Sequence, residues 1–363
     1  MTPQSTQSIH YRPFLLTKAA EWRALQNLEA KTLEKITPVY VVAPLDWDYE
    51  KDCNKKTLDE HITKIVAEIA AIGTIRHAFI DVTEVESGGN LANGLSPMSR
   101  LINETAALGV TLNPMISTKS SPATVAAAKT VLSTSDRTVG INLIPNEWPS
   151  TAPAILTNLL ASIGVGVDRV DLFLNAGDAL GTFAAQAVVT ELGRLHGLGT
   201  FHSTTFAGSA WPKTLPTGAG NYDIPRADYA TFIDVIARCV SGGVPVPDYA
   251  DWTITNPDTT LGVDPKILNI AAQFRYSAED SWVLGKGALY KGNGGKSQGA
   301  AAVPPMLNKL ATHAKYGSTI TTKTETWINN ARVSGPSGNP TTWRQWGVLR
   351  HLELTVHQLA KLP

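Results

Sequence analysis

Short β-branched or apolar runs alternate with longer helical patterns along most of this chain. The runs read VYVVAP (39–44), HAFIDVT (77–83), VTLNPMIS (110–117), TVGINLIP (138–145), RVDLFLNAG (169–177) and GTFHSTTFAG (199–208). From the second onward they begin at 77, 110, 138, 169 and 199, about 30 residues apart, the length of a strand–helix–strand unit. Helix signals fall between them. Thr57 and Glu60 form a capping box before HITKIVAEIAAIG, in which Ile62, Ile65, Val66 and Ile69 share one face. Ser121 ahead of Pro122 is an N-cap with proline at the first helical position, and Asp178 is placed to cap ALGTFAAQAVVTELGRLHG.

Beyond 208 the rhythm loosens. RADYATFIDVIARCV (226–240) predicts a helix, YADWTITNP (249–257) a seventh strand, NIAAQFRYS (269–277) an eighth, and WRQWGVLRHLELTVHQLAKL (343–362) a final helix. Eight such units predict an α/β fold, a single (β/α)8 TIM-like barrel over 1–363 with long loops after strands six to eight and a C-terminal helix. The alternative is an open doubly wound parallel sheet. Residues 1–36 are expected to pack on the barrel.

Composition narrows the function classes. With 43% hydrophobic residues in 363, the chain can bury a large core. Lys+Arg and Asp+Glu are both 31, so no general attraction to nucleic acid or acidic membranes is expected and any anion site must be local. Cys53 and Cys239 lie in no disulfide framework or zinc spacing. No basic segment followed by an apolar core opens the chain and no run is long enough to cross a bilayer, so a cytoplasmic protein with no membrane contact, metal or cofactor is expected.

In a barrel of this kind, functional groups gather at the carboxyl ends of the strands. Asp46, Asp81 and Asp251 are the candidates there for acid–base or metal chemistry, with Asp48, Glu84, Asn113, Glu147, Asn175 and Asp178 nearby. The competing reading is that these are helix caps and solvated loop residues. Arg275 would face the mouth beside Asp251, either to hold a phosphate or carboxylate or to make an ion pair that finishes the barrel top. The stretch GKGALYKGNGGKSQGA (285–300) is not a Walker loop. Tyr290 stands where the first glycine is required, and Pro304 and Pro305 delay the next helix. Its glycines suit a lid after the eighth strand, carrying Lys286, Lys291 and Lys296, or a plain loop. Trp47, Trp148, Trp211 and Trp252 fall just past predicted strands, as a stacking rim or as plugs for long loops. His196 and His202 stand alone, and no GxSxG or HExxH pattern is present.

Several ordered segments carry a resemblance: YRPFLLTKAAEWRAL, TTFAGSAWP, IPRADY, ADWTITNP, QFRYSAEDSWVLGKG and GNPTTWRQWGVLRHLELTVHQLA. Together they resemble the Beta protein family of bacteriophages, satellite phages and prophage accessory regions. Against that pattern Asp228 replaces a glutamate, Trp252 a tyrosine and Lys286 an arginine; a lysine lacks an arginine's bidentate contacts. The resemblance implies a phage or prophage setting, with some members in defence or toxin–antitoxin cassettes, and no defined reaction. With the topology it selects Arg226, Asp251, Arg275, Tyr276, Lys286 and His351 to bind an anionic small molecule such as a nucleotide, or a partner protein, at the barrel mouth; Arg344 lies in the same matched set. The alternatives are a hydrolase or phosphodiesterase using the mouth carboxylates, and a non-catalytic neutraliser of a protein encoded by a neighbouring gene.

Overall fold

Each barrel strand takes only three to six residues, most of them buried. The strands are β1 Phe14–Leu16, β2 Val39–Val41, β3 His77–Asp81, β4 Thr111–Ile116, β5 Val139–Leu143, β6 Val170–Asn175 and β7 Ser203–Gly208. After the separate strand β8 (Gly220–Pro225) comes β9 (Asp248–Asp251), the barrel's eighth. Every neighbouring pair runs parallel, in the order β1-β2-β3-β4-β5-β6-β7-β9. Tyr11 joins the two edges: it bridges Ile36 and Tyr249, and the Arg12 amide donates to the Tyr249 carbonyl at 2.8 Å. The computed structural model describes residues 9–89, 91–148, 151–258, 267–292 and 297–362.

A helix follows each barrel strand: α1 Ala19–Asn27, α2 Leu58–Ile72, α3 Pro97–Ala107, α4 Pro122–Ser133, α5 Ala152–Ile163, α6 Thr182–His196 and α7 Ala227–Gly242. After β9 come β10 (Ile270–Ser277), β11 (Ser281–Lys291), α8 (Val303–Ala311) and α9 (Lys323–Ala331), before α10 (Pro340–Leu359) covers the eighth strand. This is the expected (β/α)8 barrel, shifted in phase. The first strand comes from YRPFLL rather than VYVVAP, and NIAAQFRYS is not a barrel strand. Instead β10 pairs antiparallel with β11, and β11 with β8, in a three-stranded sheet formed by the insertions after the seventh and eighth strands.

The Thr57–Glu60 capping box and the Ser121 cap are both present. Asp178 does not cap α6. That helix starts after Gly181, whose φ of 100° ends the preceding turn and whose amide donates to the Thr231 hydroxyl at 2.8 Å.

Phe14, Leu16, Val39, Val41, Phe79, Met115, Phe173, Ala207 and Ala250 fill the barrel interior, and a larger apolar layer lies between strands and helices. The insertion has its own core, centred on Phe274, Tyr276, Met306 and Trp343. At the amino-terminal end of the barrel, Arg12 pairs with Asp248 at 3.1 Å and Asp171 at 3.6 Å, and His202 bonds Asp171 at 2.9 Å. That polar layer seals the end of the barrel away from the strand carboxyl termini.

Candidate functional site

Strand alternation decides where the predicted site residues go. On β9, Ala250 lies in the barrel interior and Trp252 follows it, stacking on Phe14 at 4.9 Å as a plug under the mouth. Asp251 therefore points outward, into the layer between sheet and helices, where it is fully buried. It accepts from the Tyr11 hydroxyl (2.6 Å), the Thr253 amide (2.9 Å) and His351 Nε2 (2.9 Å). Burial alone would raise this carboxyl, but the hydrogen bond from His351, the Arg226 guanidinium and the Tyr11 hydroxyl hold it below the usual range.

The remaining selected residues are held in contacts within the protein that pin the insertion down. Arg226 is buried, with its guanidinium donating to Gln358 (2.7 Å) and Thr355 (3.1 Å) over the Tyr229 ring. Arg275 donates to the Ile254 carbonyl at 2.6 Å and lies over Trp211; it makes no pair with Asp251. Tyr276 donates to Glu325 (2.7 Å), and Lys286 to the Pro216 carbonyl (2.6 Å). Arg344 pairs with buried Glu21 at 3.2 Å. The stretch read as a lid is strand through Lys291, and its residues 293–296, including Lys296, lie outside the described residues.

At the mouth, the ends of β3 to β6 are occupied with their own loops. Asp81 Oδ1 accepts from the Thr83 amide (2.9 Å) and hydroxyl (2.6 Å), while burial pushes the carboxyl up. Glu147 accepts from the Ile144 amide and the Thr118 hydroxyl, and Asn175 from the Gly177 amide at 2.9 Å. Among the predicted tryptophans, Trp148 and Trp211 are buried and Trp47 is 41% exposed. Among the described residues no three His, Cys, Asp or Glu side chains gather as a metal site, and no helix is long and apolar enough to cross a membrane.

One concave feature of this face lies after the first two strands, and a second, lined by Asp178, Trp211, Lys213 and Asn256, lies after the later ones. A cleft of about 310 Å³ opens between α1, the β2–α2 connection and α2. Lys18 enters it from the start of α1, which has no side-chain cap. Asp46, Lys55 and Lys56 come from a connection folded as a small hairpin, Trp47–Asp48 against Cys53–Asn54, whose base is closed by the Lys55 amide on the Asp46 carbonyl at 2.8 Å. His61 and Lys64 come from successive turns of α2, and Trp22, Leu45 and Ile65 supply apolar wall. Four lysines thus line the cleft with one carboxylate residue, Asp46. None of the four has an ion-pair partner among the described residues.

Of the predicted candidates, only Asp46 lines this cleft. The signal for the rest was present in DCNKKTLDEHITK: two lysines immediately before a capping box sit at the start of a helix that must follow a barrel strand, hence on the strand-end face. Compared with known families, a family model described as Beta protein matches residues 11–357. No curated protein matches the chain.

Proposed function

The chain belongs to the Beta protein family, and on that premise we propose that this phage-associated protein acts in phage–host or inter-phage conflict by recognising an anionic small molecule at the carboxyl-terminal face of its barrel. The observation carrying this reading is the charge of the cleft after the first two strands. In a protein of net charge zero, Lys18, Lys55, Lys56 and Lys64 converge on one concavity against Asp46 alone. Like charges held together in a recess repel one another, and a bound anion relieves that repulsion. The partly apolar wall suits a ligand with an organic body rather than a bare ion.

The test is binding of inorganic phosphate, AMP and ADP to the wild-type chain and to the Lys55→Glu/Lys56→Glu double variant, followed by calorimetry. Reversing two exposed charges leaves the fold intact and is expected to weaken anion binding by about tenfold or more, in line with 1.4 kcal/mol per decade. Equal binding by both proteins would sink the proposal. In cells, the same variant should lose any effect of the wild-type protein on phage yield.

An enzymatic reading is favoured by Asp81, a carboxyl raised by burial at a strand end whose Oδ2 accepts no hydrogen bond among the described residues. Release of alcohol or phosphate from a bound ester separates catalysis from recognition.

A further inference from the structure

His61 gives the cleft a chemistry that its lysines lack. The ring is half-buried on α2, with Nε2 at 2.9 Å from the Ala43 carbonyl oxygen. A carbonyl only accepts, so Nε2 carries the ring hydrogen and Nδ1 is left with a lone pair. Nδ1 has no protein hydrogen bond among the described residues.

The charged groups around the ring come from every element that lines the cleft: Lys18 from α1, Asp46, Lys55 and Lys56 from the connection, and Lys64 from α2 itself. Burial first, then Lys56 and Lys64, hold the imidazole below its ordinary value, against the Ala43 hydrogen bond and Asp46. These surroundings therefore favour the neutral ring. A doubly charged oxyanion reverses this balance, because it replaces a field of ammonium groups with one that favours a cation. It also faces Nδ1 with an oxygen acceptor, and two acceptors attract only when a proton lies between them.

Resting on the anion-recognition reading above, we propose that the cleft is a site for a phosphate monoester dianion, and that His61 takes a proton from solvent onto Nδ1 as the dianion enters and donates it to a phosphate oxygen. Lysines act as point charges and suit a tetrahedral phosphate, whereas a planar carboxylate gains most from an arginine fork, which this cleft does not contain. At about 310 Å³ the cleft matches the lower end of small-molecule sites. That size fits a phosphosugar or a mononucleotide and not a nucleic-acid strand.

The experiment is calorimetry on the full chain in two buffers of unlike ionisation enthalpy, with inorganic sulfate as first probe. Sulfate stays a dianion throughout the range, so any proton taken up belongs to the protein. Binding should be accompanied by proton uptake near neutral pH, and affinity should fall at least about threefold between about pH 6 and about pH 8. In the His61→Gln variant, whose amide still donates to the Ala43 carbonyl, sulfate should bind without uptake and with a flat pH profile. Uptake that persists in His61→Gln, or wild-type binding without uptake, would overturn the role of His61 and leave anion recognition standing. Failure of every oxyanion to bind the wild-type chain would overturn both. Ribose 5-phosphate matching AMP assigns the site to the phosphosugar, and tighter AMP assigns it to the nucleotide. Acetate binding as well as either would refute the phosphate class.

Discussion

Asp251 and His351 show how one hydrogen-bond donor can fix the chemistry of a buried pair. The Trp282 indole N–H can only donate, and at 3.3 Å it points to His351 Nδ1. The imidazole proton must then lie on Nε2, where it is given to Asp251 at 2.9 Å. Burial holds His351 below its ordinary value against the pull of Asp251, so the folded protein carries it neutral. The unfolded chain binds a proton at this histidine once the pH drops below the usual histidine range, while the native state does not, so this residue's contribution to stability falls as pH falls. Replacing it with glutamine keeps a donor to Asp251 and removes the titration. We expect His351→Gln to lose about 2–3 kcal/mol near neutral pH. Its deficit should shrink towards about pH 5, as read by urea denaturation of variant and wild type at both values. A deficit that grows towards about pH 5 instead would mean that His351 is charged in the folded state. The sequence singled out Asp251 and His351 separately, as groups at the barrel mouth, and did not show that they are buried against each other. Knowing that Asp251 faces outward requires knowing that Ala250 and Trp252 face in, and a four-residue strand reading DYAD carries no such mark.

At the level of elements, the chain's phase was harder to read than its architecture. The 30-residue rhythm of the middle strands was legible because each strand is an apolar run followed by a capped helix. The first strand was not legible, since it is three residues long, follows Pro13, and lies close to the start of the chain. NIAAQFRYS misled for the opposite reason: it is a good strand of the wrong kind. Its buried Ala272, Phe274 and Tyr276 alternate with half-buried Gln273 and Arg275, the signature of a two-faced antiparallel sheet, whereas the barrel strands β1, β2 and β6 are buried throughout. What holds that sheet to the barrel is its contact with α10. Gly347 lets the helix approach so closely that an added Cβ would lie 2.7 Å from the Arg275 carbonyl oxygen and 2.8 Å from Ile254 Cδ1. The backbone oxygen cannot swing aside as a side chain can. Gly347→Ala should therefore destabilise the fold by about 2–3 kcal/mol, although alanine is the better helix former by about 1 kcal/mol. A rise in melting temperature for this variant would show that the helix and sheet are not in contact as described.

For the whole molecule, barrel closure and the cleft depend on the same short segment. Tyr11 through Leu16 fills the gap between β2 and β9, and the chain then turns directly through Thr17 and Lys18 into the cleft wall. Thr17 ties the two together: its hydroxyl accepts from the Ala43 amide at 2.9 Å, and the carbonyl of Ala43 in turn orients His61. Without this strand, β2 and β9 become open edges with unpaired amides and carbonyls, Asp251 loses the Tyr11 hydroxyl, and Asp248 and Asp171 lose Arg12. A chain lacking everything through Leu16 should therefore not become a slightly weaker barrel. It should expose two edges, associate through them, and lose the fixed aromatic packing that near-ultraviolet circular dichroism reports. Size-exclusion chromatography of the truncated chain is the deciding measurement: aggregates are expected. A monomer with native near-ultraviolet bands and unchanged phosphate binding would show that the sheet is stable when open and that the cleft is assembled independently of barrel closure.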